Sequence, residues 1–340
     1  MKRATPDLVM MSFTPPTAAS NPYVHLLVAS LNDAGVKVEF FSWRRLLRGS
    51  VRLLHVHWPE TMLQRRTRIG RVVSRVLFLL LLVRVKLRWT AVVRTVHNRA
   101  PHEGAAGMDA WLLRQLDVVT TLWINLNPDV FAPNGRPAVV IPHGELGSWY
   151  EKHELGTGTV PPVDLLYFGL VRPYKGVDRL ASIVAEQEAF SLRIAGRPLD
   201  EDLRLVLESV SAASKNIQLD LRHIPDDELI AYIRASRLIV LPYTKFENSG
   251  SANLALDLGT PVLVRESPSS RELQQLFGTG LVHLFSGDLS AGDLAAALQI
   301  RSDALPGSRP IVPHREWNNQ AALHKAAYGD ALVAMTSGSG

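Results

Sequence analysis

The 340-residue chain has no cysteine. That excludes disulfides and thiolate metal sites, and it fits a reducing compartment. No apolar run is long enough to span a bilayer. The longest, Val76 to Val83, falls far short of the roughly 20 residues required. Acidic residues are missing from a whole region: positions 61 to 102 hold ten Lys or Arg and no Asp or Glu. No Gly-x-Gly-x-x-Gly follows any apolar run, which sets aside a dinucleotide-dependent dehydrogenase. The opening Met1-Lys2-Arg3 is followed by Ala-Thr-Pro-Asp rather than an apolar stretch, so no secretory leader is expected.

What is present suffices for two cores. Hydrophobic residues make up 46% of the chain and the net charge is +5, and the length suggests two domains. In the first half, short apolar runs alternate with helical patterns. Strands are expected at Leu8 to Phe13, Val36 to Phe41, Leu53 to Trp58, Ala91 to Val96, Val118 to Leu122 and Ala138 to Ile141. The alternation predicts a doubly wound α/β domain, whose ligands bind beyond the carboxyl ends of the strands. Three such ends carry histidine: His57, His97 and His143. Each alone reads as a packing residue. Three on one edge read as a crevice lined with groups for hydroxyls. A metal site is a weaker alternative, with no HExxH-like carboxylate pattern beside them.

Between Thr61 and Trp89 the sequence predicts a basic, aliphatic helix. Arg68, Arg71 and Arg75 recur at helical spacing, as do Ile69, Val72, Val73 and Val76. Residues 65–88 therefore suit an anionic membrane surface. The alternatives are a core helix with outward Arg stems and a nucleic-acid patch, for which no aromatic residue is interleaved before Phe78.

Residues 151–162, EKHELGTGTVPP, read as a linker. A second doubly wound domain follows. Its strands are expected at Val163 to Phe168, Ser191 to Ala195, Ile217 to Leu221, Leu238 to Leu241, Val262 to Val264 and Leu281 to Phe285. Arg172 and Lys175 stand just past the first of these. The stretch from Arg237 to Arg265 is one βαβ unit with a polar loop, Glu247-Asn248-Ser249-Gly250-Ser251, before its helix. Ser249 or Ser251 can cap that helix, Gly250 lets a ligand approach, and the free N–H groups attract phosphate. Glu247 would repel phosphate and suits a sugar hydroxyl. An ordinary capped helix with a solvated Glu247 is the alternative. Two cations at the same sheet edge make a diphosphate site; two exposed loop cations are the bland reading.

Taken as a set, FGLVRPYKGVDRL, LRIAGRP, IPDDELIAYIRASRLIVLPY and GTPVLV resemble the donor domain of GT-B glycosyltransferases. The similarity is to the family-4 group and related enzymes of bacterial exopolysaccharide assembly. SNPYVHLLVASLNDAGVKV, LLHVHWPE, VVRTVHN and VIPHG resemble that group's acceptor domain. The resemblance covers most of the chain. It implies an α/β fold of two Rossmann-like domains facing a cleft, an acceptor domain over 1–150 and a donor domain over 163–314. A tail helix over 315–335 would cross back to the first.

The resemblance further implies a metal-independent hexosyltransferase with no cofactor beyond its nucleoside-diphosphate sugar, GDP-mannose or a UDP-sugar. Arg172, Lys175 and the 249–251 amides would hold the diphosphate. Gly196, His223 and Ile224 would line the nucleotide site, Glu247 would meet the donor sugar, and Asn248 would meet phosphate and sugar. His97 is expected to reach the donor sugar, with His143 beside it. Glu60 and His57 are the candidates for a general base. The acceptor would be a saccharide, lipid-linked at the cytoplasmic face of the plasma membrane, with no nucleic-acid partner. Two features depart from the family pattern. Its paired Glu positions fall on Phe246 and Leu254, and its Gly-Gly pair is replaced by Ala18-Ala19-Ser20-Asn21. Asp257, one turn on, reads as an exposed helix residue. A nucleotide-sugar epimerase of the same architecture and a non-catalytic membrane partner are the rival readings.

Overall fold

The short apolar runs pair into two parallel six-stranded sheets. The structure is a computed structural model that describes residues 7–17, 20–49, 51–65, 67–87, 90–97, 107–127, 131–153, 158–246, 249–300 and 310–337. Two compact units emerge: residues 1–144 with 313–340, and residues 145–312. The second unit thus begins ahead of the expected 151–162 linker. Residues 147–152, divided by the sequence reading between the first domain and the linker, form a helix of the second unit. Glu247, Asn248, Ala18 and Ala19 lie outside the described residues.

In the first unit the strands are β1 (Leu8–Met11), β2 (Lys37–Glu39), β3 (Leu53–Val56), β4 (Ala91–Val96), β5 (Leu122–Asn125) and β6 (Ala138–Val140). They lie in the order β2-β1-β3-β4-β5-β6. The helices are α1 (Pro22–Asp33), α2 (Trp43–Arg48), α3 (Glu60–Leu63), α4 (Arg68–Lys86), α5 (Gly107–Val119) and the C-terminal α13 (Trp317–Ser337). Buried β3 and β4 residues Leu54, Val56 and Val92 share a core with Phe78, Leu81 and Val85 of α4 and with Leu112 and Leu116 of α5. Helix α13 packs on α1, β4 and β5.

Two expectations change here. Val118 belongs to α5, not to a strand, because the Leu112, Leu113 and Leu116 stripe extends the helical period to Val119. The basic helix is broken. Helix α3 ends at Leu63, Gln64 is extended, and Thr67 then caps α4 by accepting the Gly70 N–H at 3.0 Å.

The second unit has β7 (Val163–Phe168), β8 (Leu192–Ala195), β9 (Ile217–Asp220), β10 (Ser236–Leu241), β11 (Val262–Arg265) and β12 (Val282–Phe285). Their order is β12-β11-β10-β7-β8-β9. The helices are α6 (Gly147–Lys152), α7 (Val177–Ala185), α8 (Glu201–Ala212), α9 (Asp226–Arg234), α10 (Gly250–Asp257), α11 (Pro268–Phe277) and α12 (Ala291–Gln299). All the strands run parallel, but the order in which they are added reverses between β7 and β10, so the crevice for a ligand opens where these two strands end. In the first unit the reversal falls between β1 and β3.

Candidate functional site

Three loops leave the carboxyl edge of the second sheet around its switch point. The loop after β7 carries Gly169 at φ +112°, then Arg172 and a one-turn 3-10 helix, Pro173–Lys175. The loop after β8 carries Gly196 at φ +148°, where a Cβ would fall 1.9 Å from the Gly169 carbonyl oxygen. Only glycine permits that approach. The loop after β10 leads through Tyr243 to Ser249, whose Oγ accepts the Ala252 N–H at 3.2 Å and caps α10.

Side chains from these loops converge. A Cβ at Gly169 would sit 3.4 Å from Ser251 Oγ and 3.7 Å from Lys175 Nζ. Lys175 Nζ lies 4.8 Å from the centroid of the Tyr243 ring. Burial lowers the affinity of this amine for its proton, and nearby Arg172 acts in the same direction. An anion would reverse both effects. Arg172 Nε is buried and has no hydrogen-bond partner among the described residues. A buried guanidinium nitrogen of that kind calls for a ligand. Nothing lies within 4 Å of a Cβ placed at Gly250, so the first turn of α10 is open on that side.

Beside this cluster lies a cavity of about 370 Å³, lined by Gly196, Arg197, Arg222, His223, Ile224 and Asp226 among others. Arg222 is committed to Asp220 and Glu228 at 2.8 and 2.5 Å. Asp226 starts α9 rather than capping it, since Pro225 occupies the cap position. The structure therefore brings Arg172, Lys175, Gly196, Ser249, Gly250 and Ser251 to one sheet edge, and His223 and Ile224 to the adjoining wall.

Asp257 is not exposed. It is 2% accessible, and its carboxylate accepts the Leu146 N–H at 2.8 Å. Phe246 and Leu254, at the family's Glu positions, are buried. Sequence reasoning also missed Tyr243. Burial raises the pKa of its hydroxyl, which faces the Ser249 and Ser251 side chains.

The carboxyl edge of the first sheet is different in kind. His57 follows β3, and its own N–H donates to Ser12 Oγ at 3.0 Å. Its Nδ1 lies 3.1 Å from His97 Nε2, while its Nε2 is buried without a partner among the described residues. A bare lone pair costs less there than a bare N–H. The neutral ring therefore carries its proton on Nδ1 and donates to His97, and His97 in turn is protonated on Nδ1. Trp58 stacks on His97 with centroids 4.6 Å apart. Tyr23 touches the rings of His57, His97, His143 and Trp317. His143 Nδ1 donates to the Gly144 carbonyl at 2.8 Å, and Arg315 Nε donates to the His143 carbonyl at the same distance. Gly144 is needed here: a Cβ would fall 2.5 Å from the Trp317 ring.

Behind this layer, His55 is bonded on both nitrogens, to Tyr328 Oη of α13 and to Thr95 Oγ1, each at 2.7 Å. Burial lowers all these imidazoles. His97 is pushed down to about 3, with His143 adding to the effect. His143 and His324 lie at about 4, and His55 and His57 well below the ordinary value. The row is neutral at physiological pH. His57 is 2% accessible and tied to His97. Glu60 opens α3 and is only half-buried. Among the described residues, no group of three or more His, Asp or Glu is arranged to hold a metal ion.

Two doubly wound parallel units, a terminal helix packed on the first, and two cations beside a helix N-terminus at the second unit's switch point define the GT-B glycosyltransferases. The chain belongs to that family and is a glycosyltransferase. It is 37% identical over 327 residues, 95% of its length and 92% of the relative's, to GDP-mannose:glycolipid 4-beta-D-mannosyltransferase of Xanthomonas campestris pv. campestris. A second sequence of that name and species is 36% identical over the same shares. The fold is shared with Anabaena HepE in complex with UDP (TM-score 0.57, 13% identity, 96% of each chain). It is also shared with the catalytic domain of Arabidopsis thaliana starch synthase IV bound to ADP and acarbose (TM-score 0.59, 10% identity, 97% and 99% of the chains). No protein-family model matches the chain.

Proposed function

We propose that the protein transfers a mannosyl group from GDP-mannose to a lipid-linked saccharide at an anionic membrane surface, in the assembly of a bacterial polysaccharide. The observation that carries this reading is the convergence of Lys175, Ser251 and an open helix N-terminus, with an unpartnered Arg172 nitrogen close by. Charge builds on the leaving diphosphate as the glycosidic bond breaks. Cations and N–H groups already in place stabilise that charge more in the transition state than in the ground state, without a metal. The neighbouring cavity takes the base, with His223 and Ile224 on its wall. Asp226 there matches the paired N–H donors on the Watson–Crick edge of guanine. The names of the two relatives support the same donor and a glycolipid acceptor.

The first unit's neutral imidazoles serve sugar hydroxyls, with His97 as the group acting on the transferred sugar and Glu60 as the proton acceptor. Membrane contact is supported by α4. Its inner face is core, but Ile69 (78% accessible), Val72, Val76, Leu80 and Val83 are exposed on the other, with Met108 and Trp111 of α5 also exposed. Arg75 is engaged by Asp109 at 2.7 Å and Arg84 by Gly49 and Thr90. Arg68, Arg71 and Lys86 remain exposed for lipid headgroups. No helix among the described residues is long and apolar enough to cross a membrane, so the reading is of a helix lying on the inner leaflet.

Thermal stability measured with GDP-, UDP- and dTDP-sugars tests the donor, because a ligand of the native state raises the midpoint by mass action. GDP-mannose should raise it, and Arg172→Ala should lose most of the rise, as charge-assisted bonds of about 1.5–3 kcal/mol are removed. A rise with a UDP-sugar alone would overturn the choice of donor.

A further inference from the structure

We infer that Tyr243 is a positioning residue for the leaving diphosphate, holding Lys175 with its ring and the first turn of α10 with its hydroxyl. This rests on the nucleoside-diphosphate reading above and names a residue that the reading did not use. Tyr243 is 7% accessible, which by itself would make it a core aromatic. Its contacts say more. The ring face lies under Lys175 Nζ at 4.8 Å, within the range in which a cation is held by an aromatic quadrupole. Lysine is a flexible four-carbon stem carrying a point charge. Fixed on a ring, it loses less freedom when the anion arrives.

The hydroxyl acts on the other side of the same ligand position. It faces the Ser249 and Ser251 side chains. Ser249 Oγ already accepts the Ala252 N–H, so its own proton is available to the Tyr243 oxygen. One phenol thus stands beside both the cap of α10 and Ser251, whose Oγ would be 3.4 Å from a Cβ at Gly169. Tyr243 is itself held. Arg265 Nε donates to its carbonyl at 3.1 Å, and the Phe246 ring is stacked beside it at 6.3 Å. The next residue, Thr244, donates its N–H to the Tyr174 carbonyl at 3.0 Å. That bond fastens the β10 loop to the turn bearing Lys175. The two phosphate-facing elements are therefore set against each other through one residue pair, Tyr243-Thr244.

The test compares GDP with GMP on the full-length protein by calorimetric titration, for wild type, Tyr243→Phe and Tyr243→Leu. GMP reports the base and ribose contacts and serves as the control for folding. The ratio of GDP to GMP affinity isolates the second phosphate. Tyr243→Phe keeps the ring under Lys175 and should lower that ratio about 5-fold, the effect of one neutral hydrogen bond. Tyr243→Leu removes ring and hydroxyl and should lower it about 30-fold or more, with GMP binding changed less than about 2-fold. A purely structural role would weaken GMP and GDP together and leave the ratio unmoved, which overturns the inference. If wild type prefers GDP to GMP and both variants retain the full preference, the inference fails alone. If wild type binds no nucleoside diphosphate, the proposed function fails and the inference with it.

Discussion

The two units carry the same sheet architecture and opposite site chemistry. In the first, the switch-point edge is a row of buried neutral imidazoles among Tyr23, Trp58 and Trp317. In the second, it is two cations and a helix N-terminus beside backbone kept bare by Gly169 and Gly196. Neutral rings donate and accept without net charge, which suits hydroxyls. Fixed positive charge suits a diphosphate. Doubly wound topology dictates where a ligand binds; the residues at the strand ends dictate which ligand it is.

Acid gives the largest expected contrast. An unfolded histidine titrates near 6.5, whereas His97 is held to about 3 and His143 and His324 to about 4. Between those limits the unfolded chain binds protons that the folded unit does not. Stability is therefore whole above about pH 6.5 and falls as pH drops, by up to about 1.4 kcal/mol per pH unit for each such ring. Glu272 of α11 has the reverse sign. Burial raises its carboxyl to about 7, so the folded second unit takes up a proton first and gains stability as pH falls from there toward the ordinary carboxylate range. Urea unfolding at about pH 7 and about pH 5.5, followed by hydrogen exchange, should show the first unit opening at markedly lower urea in acid, while the second, where burial lowers His283 but raises Glu272, shifts less. Equal shifts in both units would break the contrast.

The next effect separates the sites by function. His97→Ala should lower turnover about 100-fold, within the range for a positioned hydrogen-bonding or proton-transfer group. It should leave GDP affinity unchanged, because the proposed diphosphate contacts all belong to the second unit. Lys175→Ala should do the converse, weakening GDP about 10-fold or more. Loss of GDP binding in His97→Ala would mean that the imidazole row serves the phosphates, and the division between units would fail.

How much of this was legible depended on sequence distance. The strands were readable because buried parallel strands are short apolar runs, and the placement of Arg172, Lys175 and Ser249 to Ser251 at one sheet edge because a strand-to-helix loop is local. Val118 misled because its β-branched neighbours look like a strand, while the Leu stripe of α5 settles it as helix. Partners far apart were not readable. Tyr243 meets Lys175 only through the adjacency of β7 and β10. His55 meets Tyr328 across 273 residues, and Asp257 is buried by an N–H 111 residues upstream. In the basic, aliphatic helix read over residues 65–88 the spacing placed an exposed aliphatic stripe, but Arg75 and Arg84 are engaged within the fold by partners far away in sequence.

The smallest effect sharpens the contrast most directly. Glu272→Gln replaces a half-buried carboxyl with a neutral group of the same shape. Above about pH 7 the wild-type carboxylate is charged and partly desolvated, which costs the second unit stability. Gln has no such cost, so the variant should unfold at slightly higher urea at about pH 8, by less than about 1 kcal/mol given solvent screening of a half-exposed group. Below about pH 5 the two proteins should converge, because Glu272 is then neutral in the folded state. The first unit should titrate identically in both. A stabilisation that persisted unchanged into acid would assign the gain to packing or hydrogen bonding rather than to charge. The second unit would then lack the oppositely signed group, and the acid contrast would rest on the histidines alone.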